Sequence, residues 1–188
     1  MSLLDLGVKG TKHMVNNTNF EPQRTNNYEV QITGLSDINT DMNGNKIAMD
    51  NASDTITLST NSFDAPSISV DPITVRYGNS SIKYAGVPSF GDASIVINDY
   101  IGLNTERILS AWYAKVYNPN TEEIGYAVEY KKTAYLYEYD TKYSELKRSW
   151  RMEGVWPQNL ALGSFAAEGG SQRQITMTLI YDRLVIDD

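Results

Sequence analysis

Few residues in this 188-residue sequence are of types that do chemistry, and their spacing argues against most of it. His13 is the only histidine. A Ser-His-Asp or Cys-His arrangement needs an imidazole held rigidly beside its nucleophile, and the chain has neither a Gly-x-Ser-x-Gly elbow nor a cysteine. Asp41-Met42-Asn43-Gly44-Asn45 opens like a calcium loop. Such a loop needs Gly at its sixth position and a bidentate Glu at its twelfth; Lys46 and Ala52 stand there, so the oxygen cage does not close and an Asn/Gly turn is expected. Gly163-Ser164 and Gly169-Gly170-Ser171 lack the Gly-Lys-Ser/Thr ending of a phosphate loop and read as a strand connection. The sequence therefore offers no catalytic residue, no metal ligand set and no cofactor site, and the expectation is a protein that is not an enzyme.

The tyrosines are the strongest compositional signal. Tyr130, Tyr135, Tyr137, Tyr139 and Tyr143 fall within one stretch, and a strand period puts Tyr135, Tyr137 and Tyr139 on one side, opposite Ala134, Leu136 and Glu138. Rings with a polar tip suit a protein interface, a carbohydrate-stacking platform or ordinary cross-strand packing. A carbohydrate-binding β-sandwich is the alternative of a different functional class.

Positioning falls to a chain long enough for one core and free of disulfides. Its net charge of -7 speaks against a protein that grips phosphates. The first ten residues are too short and too charged for a signal peptide, and no apolar run reaches the roughly 20 residues of a membrane span. The sequons at Asn16, Asn51 and Asn79 carry no weight without a secretory signal.

Residues 1–19 are expected to form a flexible polar arm and 20–188 one β domain with an insertion at about 36–54, carrying at most a short strand near Ile47. Alternation predicts strands at 28–32 and 55–59. Ser67 to Val87 reads as a long hairpin: apolar residues at 68 and 70 and then at 73, 75 and 77 change face at Asp71-Pro72, which a bulge explains, and Gly78-Asn79-Ser80 is its turn. Ala93 to Asp99 is apolar enough in its middle for burial on both faces. One helix follows, capped by Asn104 or Thr105, with an apolar stripe at Ile108, Leu109, Trp112, Tyr113 and Val116 and a stop at Asn118-Pro119. Strands at 130–139, 145–156 and 172–186 complete a mainly antiparallel β-sandwich or half-barrel.

Exposed strand edges in such a domain are templates for another chain. Three motifs give that idea a family: Tyr130-Lys131-Lys132-Thr133-Ala134 opening a strand, Glu153-Gly154-Val155-Trp156-Pro157 closing another, and Gln174 to Asp182 with Leu179-Ile180-Tyr181-Asp182 at its end. Their order resembles the tail tube proteins of contractile-tailed bacteriophages, and the resemblance runs from Phe20-Glu21-Pro22 to Tyr181-Asp182. Type VI secretion tubes share that fold and match less well. The resemblance implies hexameric rings with a continuous inner β-barrel, stacked into a tube through which phage DNA is ejected. It implies partners in tail sheath, tape-measure, baseplate and tail terminator proteins, and a virion tail assembled in the host cytoplasm. DNA would pass without specific binding through a polar, acidic lumen, with no membrane or small-molecule partner.

If the central strands build that lumen, their wet face offers Thr55, Thr57, Ser59, Ser67, Ser69, Asp71 and Thr74 as its lining. The opposite face offers Ile68, Val70, Ile73, Val75, Tyr77, Ile82 and Tyr84 as contacts between subunits. The arm and the insertion exceed what a compact tube subunit requires, which leaves open a baseplate protein that initiates the tube.

Overall fold

The computed structural model describes residues 22–46, 51–166 and 169–187. His13, the arm and Ile47 lie outside them. The elements in order are β1 (Tyr28–Thr33), a 3-10 turn (Leu35–Asp37), α1 (Ala52–Ser59), β2 (Thr60–Phe63), β3 (Ile68–Tyr77), β4 (Ser80–Phe90), β5 (Ala93–Asn98), α2 (Thr105–Val116), β6 (Tyr117–Asn118), β7 (Glu123–Ile124), α3 (Ala127–Tyr130), β8 (Lys132–Tyr139), β9 (Leu146–Ala161), β10 (Gln174–Ile180) and β11 (Arg183–Asp187).

One antiparallel sheet runs β1-β8-β9-β10-β5-β2, with β11 also on β9. It curls so that its two ends approach: the Tyr28 hydroxyl of β1 donates to the Asn61 carbonyl of β2 at 3.1 Å. The concave face is the core. Val30 and Ile32, Ala134 and Leu136, Ile175, Met177 and Leu179, and Ile95 and Ile97 alternate inward along their strands and are buried, and on β9 Met152 and Val155 are both buried across the register shift at Gly154. On β5 the intervening residues are half-buried, so the expectation of burial on both faces is met in part.

The 16-residue β9 is the spine. It pairs with β8 along one edge, and with β11 and then β10 along the other. The expected strand end at Trp156 is therefore wrong, because pairing with β10 carries β9 on to Ala161. The expected single terminal strand is broken at Tyr181-Asp182, opposite Gly154, whose φ of 70° suits glycine. The Asp182 amide donates to the Glu153 carbonyl across this break at 2.9 Å.

The helical content also corrects the sequence reading. Residues 55–59 are not a strand but the end of α1. Ala52, Ile56 and Ser59 recur at helical spacing and are the buried residues of α1, which packs on β1. The hydroxyl of Thr57 donates to the Ser53 carbonyl at 3.0 Å and that of Thr60 to the Ile56 carbonyl at 2.8 Å, so the β-branched residues find backbone partners within the helix. Helix α2 lies where its stripe predicted and packs against β9, and Trp112 Nε1 donates to the Tyr130 carbonyl at 2.8 Å. Asn104 precedes it with a φ of 53° and no side-chain capping bond.

The described part of the insertion is docked on the body. Ile38 is buried, as is Leu35 just before the insertion. Asp41 accepts from the amides of Asn43 and Asn45 at 2.9 and 2.8 Å and pairs with Arg107 of α2 at 3.3 Å. Lys115 of α2 donates to the Thr40 hydroxyl at 2.9 Å. The would-be calcium ligand is thus a turn-forming carboxylate, held below its ordinary pKa chiefly by the Asn45 amide.

Candidate assembly surface

The β3–β4 hairpin stands apart from the curled sheet. It pairs only with itself among the described residues, and every residue of β3 is exposed. Ten extended residues at about 3.3 Å each make a blade roughly 33 Å long. Its turn is the two-residue Gly78-Asn79, with Gly78 at a φ of 57°.

Register sorts the side chains. Ile68 faces Phe90, Val70 faces Pro88, Ile73 faces Tyr84 and Val75 faces Ile82, and directly opposed residues share a face. Pairing shifts between Val70 and Pro72, but Asp71 alone stands opposite Gly86 and Val87, so the extra residue lies on β4; β3 alternates unbroken, and Ile68 and Val70 share the face of Thr74 and Arg76, opposite Ile73, Val75 and Tyr77. Gly86 sits against this bulge: a Cβ there would lie 2.4 Å from the Asp71 carbonyl oxygen.

The apolar residues therefore form two exposed patches, one on each face: Ile73, Val75, Tyr77, Ile82 and Tyr84 toward the tip, and Ile68 and Val70 with Pro88 and Phe90 toward the root; Ile68 is 50 % exposed, Ile73 55 % and Tyr77 63 %. Five of the seven sequence candidates for subunit contact share the tip patch, and Ile68 and Val70 lie on the opposite face. Sequence reasoning missed Pro88 and Phe90, because it ended the hairpin at Val87.

Behind the tip patch the hairpin is polar: Thr74 opposes Lys83 and Arg76 opposes Ser81, and its charges, Arg76 and Lys83, are basic rather than acidic. Ser69 and Ser89, whose hydroxyls meet at 2.7 Å, continue the face of the tip patch toward the root.

The seven lumen candidates do not form one surface. Ser69 and Thr74 lie on opposite faces of the hairpin, and Asp71 stands opposite the bulge. Ser67 is at the root, where its amide donates to the Tyr181 hydroxyl and its carbonyl accepts from it, each at 3.0 Å. Thr55, Thr57 and Ser59 are on α1, and Ser59 is fully buried. The wet-face argument for those three fails with the strand on which it rested.

The tyrosines form two pairs rather than one ladder. Tyr135 stacks on Tyr137 with centroids 5.8 Å apart, and Tyr139 on Tyr143 at 5.6 Å. The Tyr139 hydroxyl donates to Glu29 at 3.1 Å. On the same outer face Arg151 lies 3.5 Å from Glu153 and 3.4 Å from Asp187. Burial pushes the phenols of Tyr137 and Tyr139 up, and for Tyr139 the Glu29 bond adds to it. Among the described residues no group of three or more acidic or histidine side chains is placed to hold a metal ion.

No family model matches the sequence, and no curated protein does. Solved structures do match its fold. A chain of the PVC sheath/tube terminator, from an extracellular contractile injection system in its extended state, superposes with a TM-score of 0.63 at 20% identity, covering 89% of this chain and 97% of that one. A chain of the PVC sheath-tube complex gives 0.62 at 20% identity, covering 94% and 96%. A chain of the anti-feeding prophage tube-terminating cap gives 0.61 at 20% identity, covering 88% and 91%. This chain shares their fold over nearly its whole length.

Proposed function

We propose that this protein is a structural, non-enzymatic subunit of the tube of a contractile injection machine, and that the β3–β4 hairpin is the element by which copies join. The observation that carries the reading is the exposed apolar patch of Ile73, Val75, Tyr77, Ile82 and Tyr84 at the tip of the hairpin, with a second at Ile68, Val70 and Pro88 on its other face. An isolated two-stranded hairpin is marginal in water, and contiguous apolar patches above a few hundred Å² mark interaction sites. A second copy suits it as the occupant, because both outer edges of the hairpin are also unpaired among the described residues and edges add strands. The shared fold with tube and terminator assemblies supports the same reading.

The sequence resemblance extends the proposal to hexameric rings with an inner barrel of hairpins, stacked head to tail as an open-ended heterologous assembly. It further suggests a phage tail tube enclosed by sheath, with DNA as cargo. If the polar hairpin face lines the lumen, Arg76 and Lys83 make it less acidic there than the resemblance implies. A terminal position, as initiator or terminator, is the second reading, favoured by the likeness to a terminator and a cap.

Electron microscopy of the purified chain beside Ile73→Asp/Tyr84→Asp tests this. Both sites are exposed, so the variant should unfold within about 0.5 kcal/mol of the parent. The parent should form rings or tubes and the variant should stay monomeric, while Thr74→Asp on the other face keeps assembling. Single capped rings from the parent favour the terminal position; a parent monomeric at all salt and protein concentrations sinks the tube-subunit reading.

A further inference from the structure

The curled sheet does not close by strand pairing among the described residues. β1 and β2 are the two ends of its strand path, and five antiparallel steps between them make them antiparallel to each other. Among the described residues β1 pairs only with β8 and β2 only with β5. Between these edges runs an open groove of about 1010 Å³. Tyr28 and Val30 line one side and Asn61 and Phe63 the other, with Leu58 of α1, 79 % exposed, on its lining. Two unpaired edges beside apolar side chains meet the requirements for accepting an added strand.

We propose that this seam is a strand-accepting site and that its occupant is the chain's own segment 4–9. Leu4, Leu6 and Val8 alternate there with Asp5, Gly7 and Lys9, giving an added strand one apolar and one polar side. The segment is tethered at the site itself, since Gln23 and Arg24 line the groove. Residues 10–21 between them reach about 40 Å when extended, ample to fold back along the six-residue β1. Such a tether gives an effective concentration in the millimolar range, which favours the chain's own segment over another copy's. The added strand runs parallel to one edge and antiparallel to the other, and covers both against unwanted pairing. The hairpin plays no part in this, so the proposal stands or falls apart from the tube reading.

Residue-resolved hydrogen exchange on the full chain tests it, beside the full-length variant Leu4→Asp/Leu6→Asp/Val8→Asp. The seam-facing amides of β1 and β2 should exchange at least 10-fold faster in the variant, while β9 and β10 stay unchanged; equal rates in the two chains overturn the site. A second readout uses the absence of native cysteine. Leu6→Cys/Asn61→Cys treated with a short thiol-to-thiol linker should give an intramolecular product at micromolar protein. Cross-linked dimers in its place, or seam protection lost on dilution, overturn the chain's own segment and assign the seam to a second copy.

Discussion

The Tyr181 hydroxyl donates to the Ser67 carbonyl and accepts from the Ser67 amide, each at 3.0 Å, tying the break between β10 and β11 to the root of the β3–β4 hairpin. Its ring also lies 6.0 Å from that of Phe90, at the other foot of the hairpin. One buried side chain thus fixes where an otherwise unsupported blade leaves the body.

Tyr181→Phe keeps the ring and removes both bonds. Because the Ser67 groups lose a partner at a part-buried site, the expected loss is about 1–3 kcal/mol in denaturant unfolding. Amide exchange should quicken first at Ile68 to Val70 and at Phe90. Unchanged exchange at the root, with β9 equally unaffected, would show that the blade is held by other contacts.

Gly86→Ala tests the bulge. The added methyl meets the Asp71 carbonyl, so pairing must open around residues 70–72 and 85–88. Exchange there should rise while the Val75–Ile82 pairing persists. The bulge fixes how the tip patch of Ile73, Val75, Ile82 and Tyr84 is held relative to the root, so assembly seen by electron microscopy should weaken well beyond any change in monomer stability.

The hairpin was legible because its evidence is local: period two on each arm and a Gly-Asn turn lie within about twenty residues of sequence, whereas the strand that carries the bulge is decided by pairing. The stripe of α2 was legible for the same reason. Residues 52–59 were not, because Thr55, Thr57 and Ser59 imitate a strand, and only the burial of Ala52 and Ile56 against β1 selects the helix. Tertiary packing overrode a weak local preference. The break at Tyr181-Asp182 was hidden too, since it answers to Gly154 on another strand. The seam between β1 and β2 is a property of sheet order, which no single stretch of sequence carries.

Stability should fall at alkaline pH. The phenols of Tyr28, Tyr137, Tyr139 and Tyr181 are all raised above their ordinary value of 10.0, each first by burial. The unfolded chain then loses these protons before the folded one does. Their contribution is fully present below pH 10 and declines as pH rises through the folded values. The raised amine of Lys147 acts in the same direction. The melting temperature should hold level from pH 8 to about 9.5 and then drop, with tyrosinate absorbance in the folded chain rising later than in urea. A melting temperature that climbs between pH 10 and 11 would contradict this.

Gly154→Ala should be the most damaging of these substitutions. A Cβ at this φ of 70° is strained in any surroundings, and here it would lie 2.2 Å from the Asp182 carboxylate. That carboxylate cannot simply swing away, because Lys131 holds it at 2.5 Å and the Asp182 amide is bonded to Glu153. Relief therefore requires breaking the point where β9 passes from β11 to β10, the junction on which both halves of the core depend. Strain and displacement together should cost at least about 2–3 kcal/mol. Asp182→Gly/Gly154→Ala clears the space but keeps the strained φ, so it should recover part of the loss and not all of it. Full recovery would assign the whole effect to the clash, and no recovery would assign it to the backbone. A Gly154→Ala chain as stable as the parent would mean that β9 does not turn at Gly154 in solution.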